Sequence, residues 1–143
     1  MRQLNVFFDV DDTLLVRRNV LRNHAEEVLT RVSEAGHTIY IWSGNGIRQY
    51  EMEEHGLDHL VADYFVKPLE RYRELLGEHD VYVEPDFVVD DHEGVVEAFG
   101  GYTISRYVPD NDRDLLNALA AIEAAAGLDG VSGQNDGLAA PRR

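Results

Sequence analysis

The sequence predicts a doubly wound, Rossmann-like α/β fold, with one parallel sheet and helices on both faces. Three observations predict it. Short apolar runs rich in strand formers alternate along the chain with stretches whose apolar residues recur at three and four positions. Such alternation is the signature of strands joined by helical crossovers. The 143 residues, 44% of them apolar, are enough for one ordinary core and too few for two. Polar residues that can do chemistry (Asp9, Ser43 and Asp90) each stand at the carboxyl end of an apolar run, where open parallel sheets bind ligands.

The first strand is Leu4–Phe8 (LNVFF), stopped by the acid cluster DVDD. From His24 to Ala35 the residues Ala25, Val28, Leu29 and Val32 form one helical face, and Gly36 ends the helix. A second strand covers His37–Trp42 (HTIYIW) and runs into SGNG, followed by a helix from about Ile47 to His55 closed by Gly56. A third strand lies between Val61 and Val66. Lys67-Pro68 follows, with the proline placed for the first turn of a helix reaching about Leu76. Phe87–Val89 is a fourth strand, ending on Asp90 and Asp91. A helix from Glu93 to Phe99 stops at Gly100-Gly101, and Tyr102–Ser105 supplies the last strand. Asp112–Ala126 reads as a helix capped by Asp112, with Leu115, Leu119 and Ile122 on one stripe. The expected organisation is one domain over residues 1–126 and a glycine-rich, aperiodic tail over 127–143 that is expected to be flexible.

Twenty-seven acids against thirteen basic residues leave a formal charge of −14, which argues against a broad nucleic-acid or anionic-membrane surface. Cysteine is absent, so thiolate metal sites and cysteine nucleophiles are excluded. The apolar stretch after Met1 meets Asp9 too soon for a signal-peptide core or a membrane span, and a cytoplasmic location is expected. Twelve of the thirteen basic residues are arginine, which singles out Lys67.

Asp9, Asp11 and Asp12 fall directly after the first strand, with Asp90 and Asp91 at another strand end. One acid triplet alone would be a solvated turn. Its repetition at a second strand end points to carboxylates gathered around a hard divalent cation, for which magnesium is the natural candidate.

These residues resemble the haloacid dehalogenase superfamily. FFDVDDTLL is similar to its Asp-x-Asp-x-Thr first motif, Ser43 after HTIYIW to its second, Lys67 in FVKP to its third, and Asp90-Asp91 after FVV to the paired-acid form of its fourth. The resemblance spans Leu4 to Asp91, in the family's order. It implies phosphatase or phosphotransferase chemistry, with Asp9 as nucleophile, Asp11 as general acid and base, Ser43 on the phosphoryl oxygens and Lys67 offsetting their charge. It further implies Mg2+ held by Asp9, Asp11 (through its carbonyl) and Asp90 or Asp91. Thr13, Gly44 and Asn45 complete the substrate side, Thr13 more by fixing the loop and following helix than by touching substrate. Only 23 residues separate Thr13 from His37 and 23 separate Ser43 from Lys67, so no cap domain fits. An open site is expected, suited to a large phosphorylated substrate such as a phosphoprotein or a nucleic-acid end.

LLVRRNVLRN would form the family's small flap, and Arg17, Arg18 and Arg22 make it a candidate to hold a further anionic group, against the plainer reading of a solvated basic stretch. His55 and His59 are unsuited to zinc because Gly56 ends the helix between them. His92 is a helix-start residue or a substrate contact. Two other functions fit the same residues: a receiver-like signalling domain carrying a phospho-aspartate, and a catalytically silent binding module on the same fold.

Overall fold

The computed structural model describes residues 1–131, and side chains through residue 127. Five parallel strands form one sheet: β1 (Asn5–Phe8), β4 (Thr38–Ser43), β5 (Asp63–Val66), β6 (Phe87–Asp90) and β7 (Gly101–Thr103), in the order β5-β4-β1-β6-β7. A two-stranded hairpin, β2 (Leu15–Val16) and β3 (Val20–Leu21), stands between β1 and the first helix and corresponds to the expected flap. The helices are α1 (Ala25–Glu34), α2 (Gln49–Glu54), α3 (Glu93–Phe99) and α4 (Asp114–Val131). None of them is long and apolar enough to cross a membrane.

Alternation along the strands builds two cores, because successive side chains of a strand point to opposite faces. Val6 and Phe8 of β1 join Val28, Leu29, Leu115, Leu119 and Ile122 of α1 and α4 on one face. Phe7 points to the other, where it packs on Tyr40 and Trp42 with ring centroids 4.9 and 4.8 Å apart. Trp42, expected in the core, has no exposed surface. At the sheet edge β7 approaches β6 so closely that a Cβ on Gly101 would lie 1.9 Å from the Val88 carbonyl oxygen, which requires glycine there.

Two expectations are corrected. The helix expected from Pro68 to about Leu76 does not form. Arg71 takes a left-handed conformation (φ 41) that breaks the first turn, and the chain continues as turns into a single 3-10 turn at Gly77–His79. Burial of Leu75, and of Val81 against the aromatic face, shapes this segment more than helical periodicity does. The final helix starts two residues later than expected and runs on to Val131; the remainder of the expected tail lies outside the described residues.

Asp112 has a larger role than capping. Its carboxylate accepts N–H bonds from Val108 and Asp114, and it receives a two-pronged bond from Arg22, Nε to Oδ1 and Nη2 to Oδ2, both at 2.9 Å. Arg22 is therefore not part of a solvent-facing basic flap. Its side chain has no exposed surface, and its remaining donors reach the carbonyls of Asp12 (3.1 Å) and Ser105 (2.8 Å). One guanidinium thus ties the loop after β1, the segment after β7 and the start of α4. Breaking a buried pair leaves the survivor uncompensated, so Arg22→Ala or Asp112→Ala is expected to cost about 3–5 kcal/mol, read from urea unfolding midpoints. Burial alone would raise the Asp112 carboxyl, but Arg22 and the two N–H donors outweigh it and hold it below the ordinary carboxylate range. Its contribution is complete above the unfolded value near 4 and is lost as pH falls through the lower folded value. The stability gap between the parent and Asp112→Asn is therefore expected to shrink on acidification below about pH 4.

Candidate active site

The strand order brings the chemistry together. β1 lies between β4 and β6, and Phe8 is level with both Ile41 and Val89, so the residues that follow emerge at one rim. The Asp9 N–H continues the ladder to the Val89 carbonyl at 3.0 Å, which sets Asp9 beside Asp90. On the other side Ser43 pairs with Val66, and the Lys67 N–H reaches the Ser43 carbonyl at 2.9 Å. Four segments distant in sequence thus end within one site, at the point where strand order reverses and such sheets bind ligands.

Lys67 is the centre of the arrangement. Its ammonium donates to Asp9 Oδ1 at 3.1 Å and to Asp90 Oδ2 at 2.9 Å, with all three residues buried. Burial opposes its charge, but Asp9 and Asp90 outweigh that and hold the ammonium above its ordinary value. One cation does not balance two carboxylates. Burial, followed by the neighbouring Asp90, pushes the Asp9 carboxyl up to about 8, despite Lys67. Asp90 is likewise raised, chiefly by burial, although Lys67 and the His92 N–H at 2.9 Å oppose the shift.

Asp91 is exposed and brings a third carboxylate to the cluster. One oxygen from each of Asp9, Asp90 and Asp91 lies within 4.8 Å of the others, a donor set that a hard divalent cation fits. The Asp11 side chain is not in that set. It turns toward Arg48 and Asn45, which donate to Oδ2 at 2.7 Å each, and the Arg48 bond holds its carboxyl below the ordinary range against partial burial.

Ser43 is buried, and its hydroxyl oxygen accepts from the Asn45 N–H at 3.0 Å and from Arg48 Nη1 at 3.2 Å. With both lone pairs taken, its own O–H proton is left to donate outward. Gly44 and Asn45 line the same cavity of about 220 Å³, together with Asp9, Asp11, Lys67 and Asp91. Thr13 does not face that cavity. It has no exposed surface and donates to Asp9 Oδ2 at 3.3 Å, so it acts on the carboxylate rather than on a substrate. Nor does a helix follow it directly, since the hairpin intervenes. Arg17 and Arg18 lie on the hairpin, outside this cavity. His92 is the N-cap of α3 and is exposed, and His55 bonds the Asn19 carbonyl at the hairpin tip at 2.9 Å.

Sequence reasoning missed Arg48. It is buried and gathers Asp11, Ser43 and Glu51, the last at 3.0 Å. Its position five residues after Ser43, inside an expected helix, gave no sign of this. Only the irregular chain between Ser43 and Gln49 folds the guanidinium back into the site.

Residues 6–66 match the family of haloacid dehalogenase-like hydrolases. No curated protein matches the chain. Among solved structures, the chain is similar to the core domain, determined by NMR, of a protein from Streptococcus pneumoniae TIGR4 provisionally assigned as a phosphoglycolate phosphatase. The two are 18% identical with a TM-score of 0.45, over 64% of this chain and 69% of that one.

A carboxyl raised in the folded state withdraws stability as pH climbs from its ordinary value, near 4, through its folded value near 8. With chelator present, Asp9→Asn is therefore expected to melt higher than the parent at pH 8, by more than at pH 5. Added divalent cation should raise the parent's Tm and move the variant's much less. Scanning calorimetry at the two pH values checks both signs.

Proposed function

Because residues 6–66 match the haloacid dehalogenase-like hydrolases, we propose that this chain is a magnesium-dependent phosphomonoesterase working through an aspartyl phosphate on Asp9. The observation that supports this most is the meeting of Asp9, Asp90 and Asp91 around Lys67, beside a Ser43 hydroxyl whose proton is unassigned. Carboxylates crowded around a single ammonium are short of positive charge. Magnesium held by the carboxylates of Asp9 and of Asp90 or Asp91, with the Asp11 carbonyl, would supply that charge next to a bound phosphoryl group.

The chain's own residues account for the remaining steps. A carboxylate oxygen of Asp9 attacks phosphorus in line, the bond to the leaving oxygen breaks, and that oxygen takes a proton from Asp11. Water then loses a proton to Asp11 and attacks the same phosphorus, releasing inorganic phosphate and restoring Asp9. Lys67 spends two of its three N–H donors on Asp9 and Asp90, which leaves one for a phosphoryl oxygen. Ser43 donates to another. Thr13 fixes the Asp9 oxygen that it bonds. The Arg48 pairing keeps Asp11 in its ionised form, the state needed to activate water. For the first protonation step Asp11 leaves Arg48 and takes up a proton from solvent as substrate binds, then turns to the leaving oxygen; in later turnovers the proton taken from water serves. No cap domain stands over this rim among the described residues, which supports a phosphorylated substrate with a bulky leaving group. A cytoplasmic setting accords with the lack of cysteine.

Two observations weigh against the other readings. Counting only its own five strands, the sheet runs 3-2-1-4-5, whereas receiver domains are wound 2-1-3-4-5. A silent binding module has no need of a nucleophile, an acid-base and a hydroxyl donor in one cavity.

Purified protein with MgCl2 is expected to hydrolyse p-nitrophenyl phosphate and to lose that activity in chelator. Asp9→Asn should fall below detection and Asp11→Asn should lose about 10²–10⁴-fold. Equal rates for parent and Asp9→Asn exclude the nucleophile. A phospho-aspartate that persists for many minutes in the parent moves the assignment to signalling.

A further inference from the structure

We propose that the trough between the β2–β3 hairpin and the chain after β7 is a second anion subsite, and that the substrate is a phosphomonoester whose leaving group carries a ring and a second anionic group. This rests on the phosphatase reading and names its substrate class. The trough is continuous with the catalytic cavity. A cleft of about 540 Å³ lined by Arg17, Arg106 and Tyr107 shares Asp12 and Asp91 with that cavity. A further cleft of about 450 Å³ shares Arg17 and Tyr107 with the first and reaches Arg18 near the hairpin tip. A phosphoryl group at Asp9 would therefore extend its leaving group past Asp12 and Asp91 toward Arg17 and Arg106.

The charge pattern says what that end accepts. In a chain of formal charge −14, Arg2, Arg22, Arg31, Arg48, Arg71 and Arg73 each pair with a carboxylate. Four arginines have no carboxylate partner among the described residues; Arg17, Arg18 and Arg106 line this one trough, and Arg113 lies outside it. Three unpaired guanidiniums gathered in one trough amid 27 acids suit an anion brought by the ligand, and their planar forks fit phosphate or carboxylate. Asp12 and Asp91 repel a second anion close to the reaction centre, which favours its binding at the arginine end. Arg18 also holds a left-handed conformation (φ 53), where Gly or Asn would be cheaper, so the turn keeps an arginine at a local cost.

The trough is braced before any ligand arrives. Buried Arg22 joins its two walls through the Asp12 and Ser105 carbonyls. The Tyr107 ring lies over the same guanidinium, 5.7 Å from centroid to Cζ, and its hydroxyl donates to Asn23 at 3.3 Å. Half-buried Tyr107 thus offers a fixed flat wall to a ring in the leaving group.

The test measures binding without turnover, on the Asp9→Asn protein with MgCl2, by calorimetry. Two matched pairs are compared: adenosine 5′-monophosphate with adenosine 3′,5′-bisphosphate, and phenyl phosphate with 1,4-phenylene bisphosphate. In at least one pair the bis-anion is expected to bind tenfold tighter or better. Adding Arg17→Gln and Arg106→Gln should bring that preference below about threefold, whereas Arg113→Gln, outside the trough, should leave it unchanged. Melting curves confirm that the exposed substitutions leave the fold intact. No preference in either pair, or a preference that survives Arg17→Gln with Arg106→Gln, overturns the subsite. Hydrolysis of p-nitrophenyl phosphate by the parent without bis-anion preference leaves the phosphatase reading standing and removes the subsite. Preference without hydrolysis does the reverse.

Discussion

The site depends on an unbalanced charge: two buried carboxylates, Asp9 and Asp90, share one ammonium, that of Lys67. Water is largely excluded from all three, so the imbalance is not screened away. It appears as carboxyls raised by burial and mutual repulsion, and as an ammonium held charged. A protein pays such a cost where a ligand relieves it. A divalent cation would neutralise what the fold has concentrated and leave positive charge facing an anionic phosphoryl group, and that compensation makes the rim a catalytic candidate rather than an acidic turn.

The sheet exists at this point to hold those groups level. Central β1, with β4 and β6 on either side, delivers Asp9 and Asp90 at one height and Ser43 one residue further along, and the hydrogen bond from Lys67 N–H to the Ser43 carbonyl adds the lysine. A one-residue slip in any of these strands would turn its side chains to the other face, so the aromatic and aliphatic cores that lock the register also set the catalytic distances. Arg22 extends this rigidity beyond the sheet. By bonding Asp12, Ser105 and Asp112 at once, it couples the catalytic loop to the far end of the domain.

Arg48 shows how the same cavity holds Asp11, the proposed acid-base. The guanidinium binds Asp11 and the Ser43 oxygen together, so the two groups are linked through one side chain. A change in the hydrogen bonding of one is felt by the other.

The sequence by itself determined the alternation of strand and helix, the two-faced sheet and the identity of Asp9, Ser43, Lys67 and Asp90 as rim residues. Each of these follows from short-range signals: apolar runs, helical spacing such as Ala25, Val28, Leu29 and Val32, and polar residues where a run stops. Only the tertiary structure decided which basic residues are free. Arg22 and Arg17 look alike in LLVRRNVLRN, yet one is buried on Asp112, ninety positions away, and the other faces a trough. The same holds for Arg48, drawn into the site by an irregular turn, for Thr13, buried on Asp9, and for the stretch after Pro68, where burial of Leu75 and Val81 prevailed over a plausible helix. The physical reason is common to all four. Periodicity records the local backbone, whereas the partner of a charge or hydroxyl is set by which distant segment packs beside it.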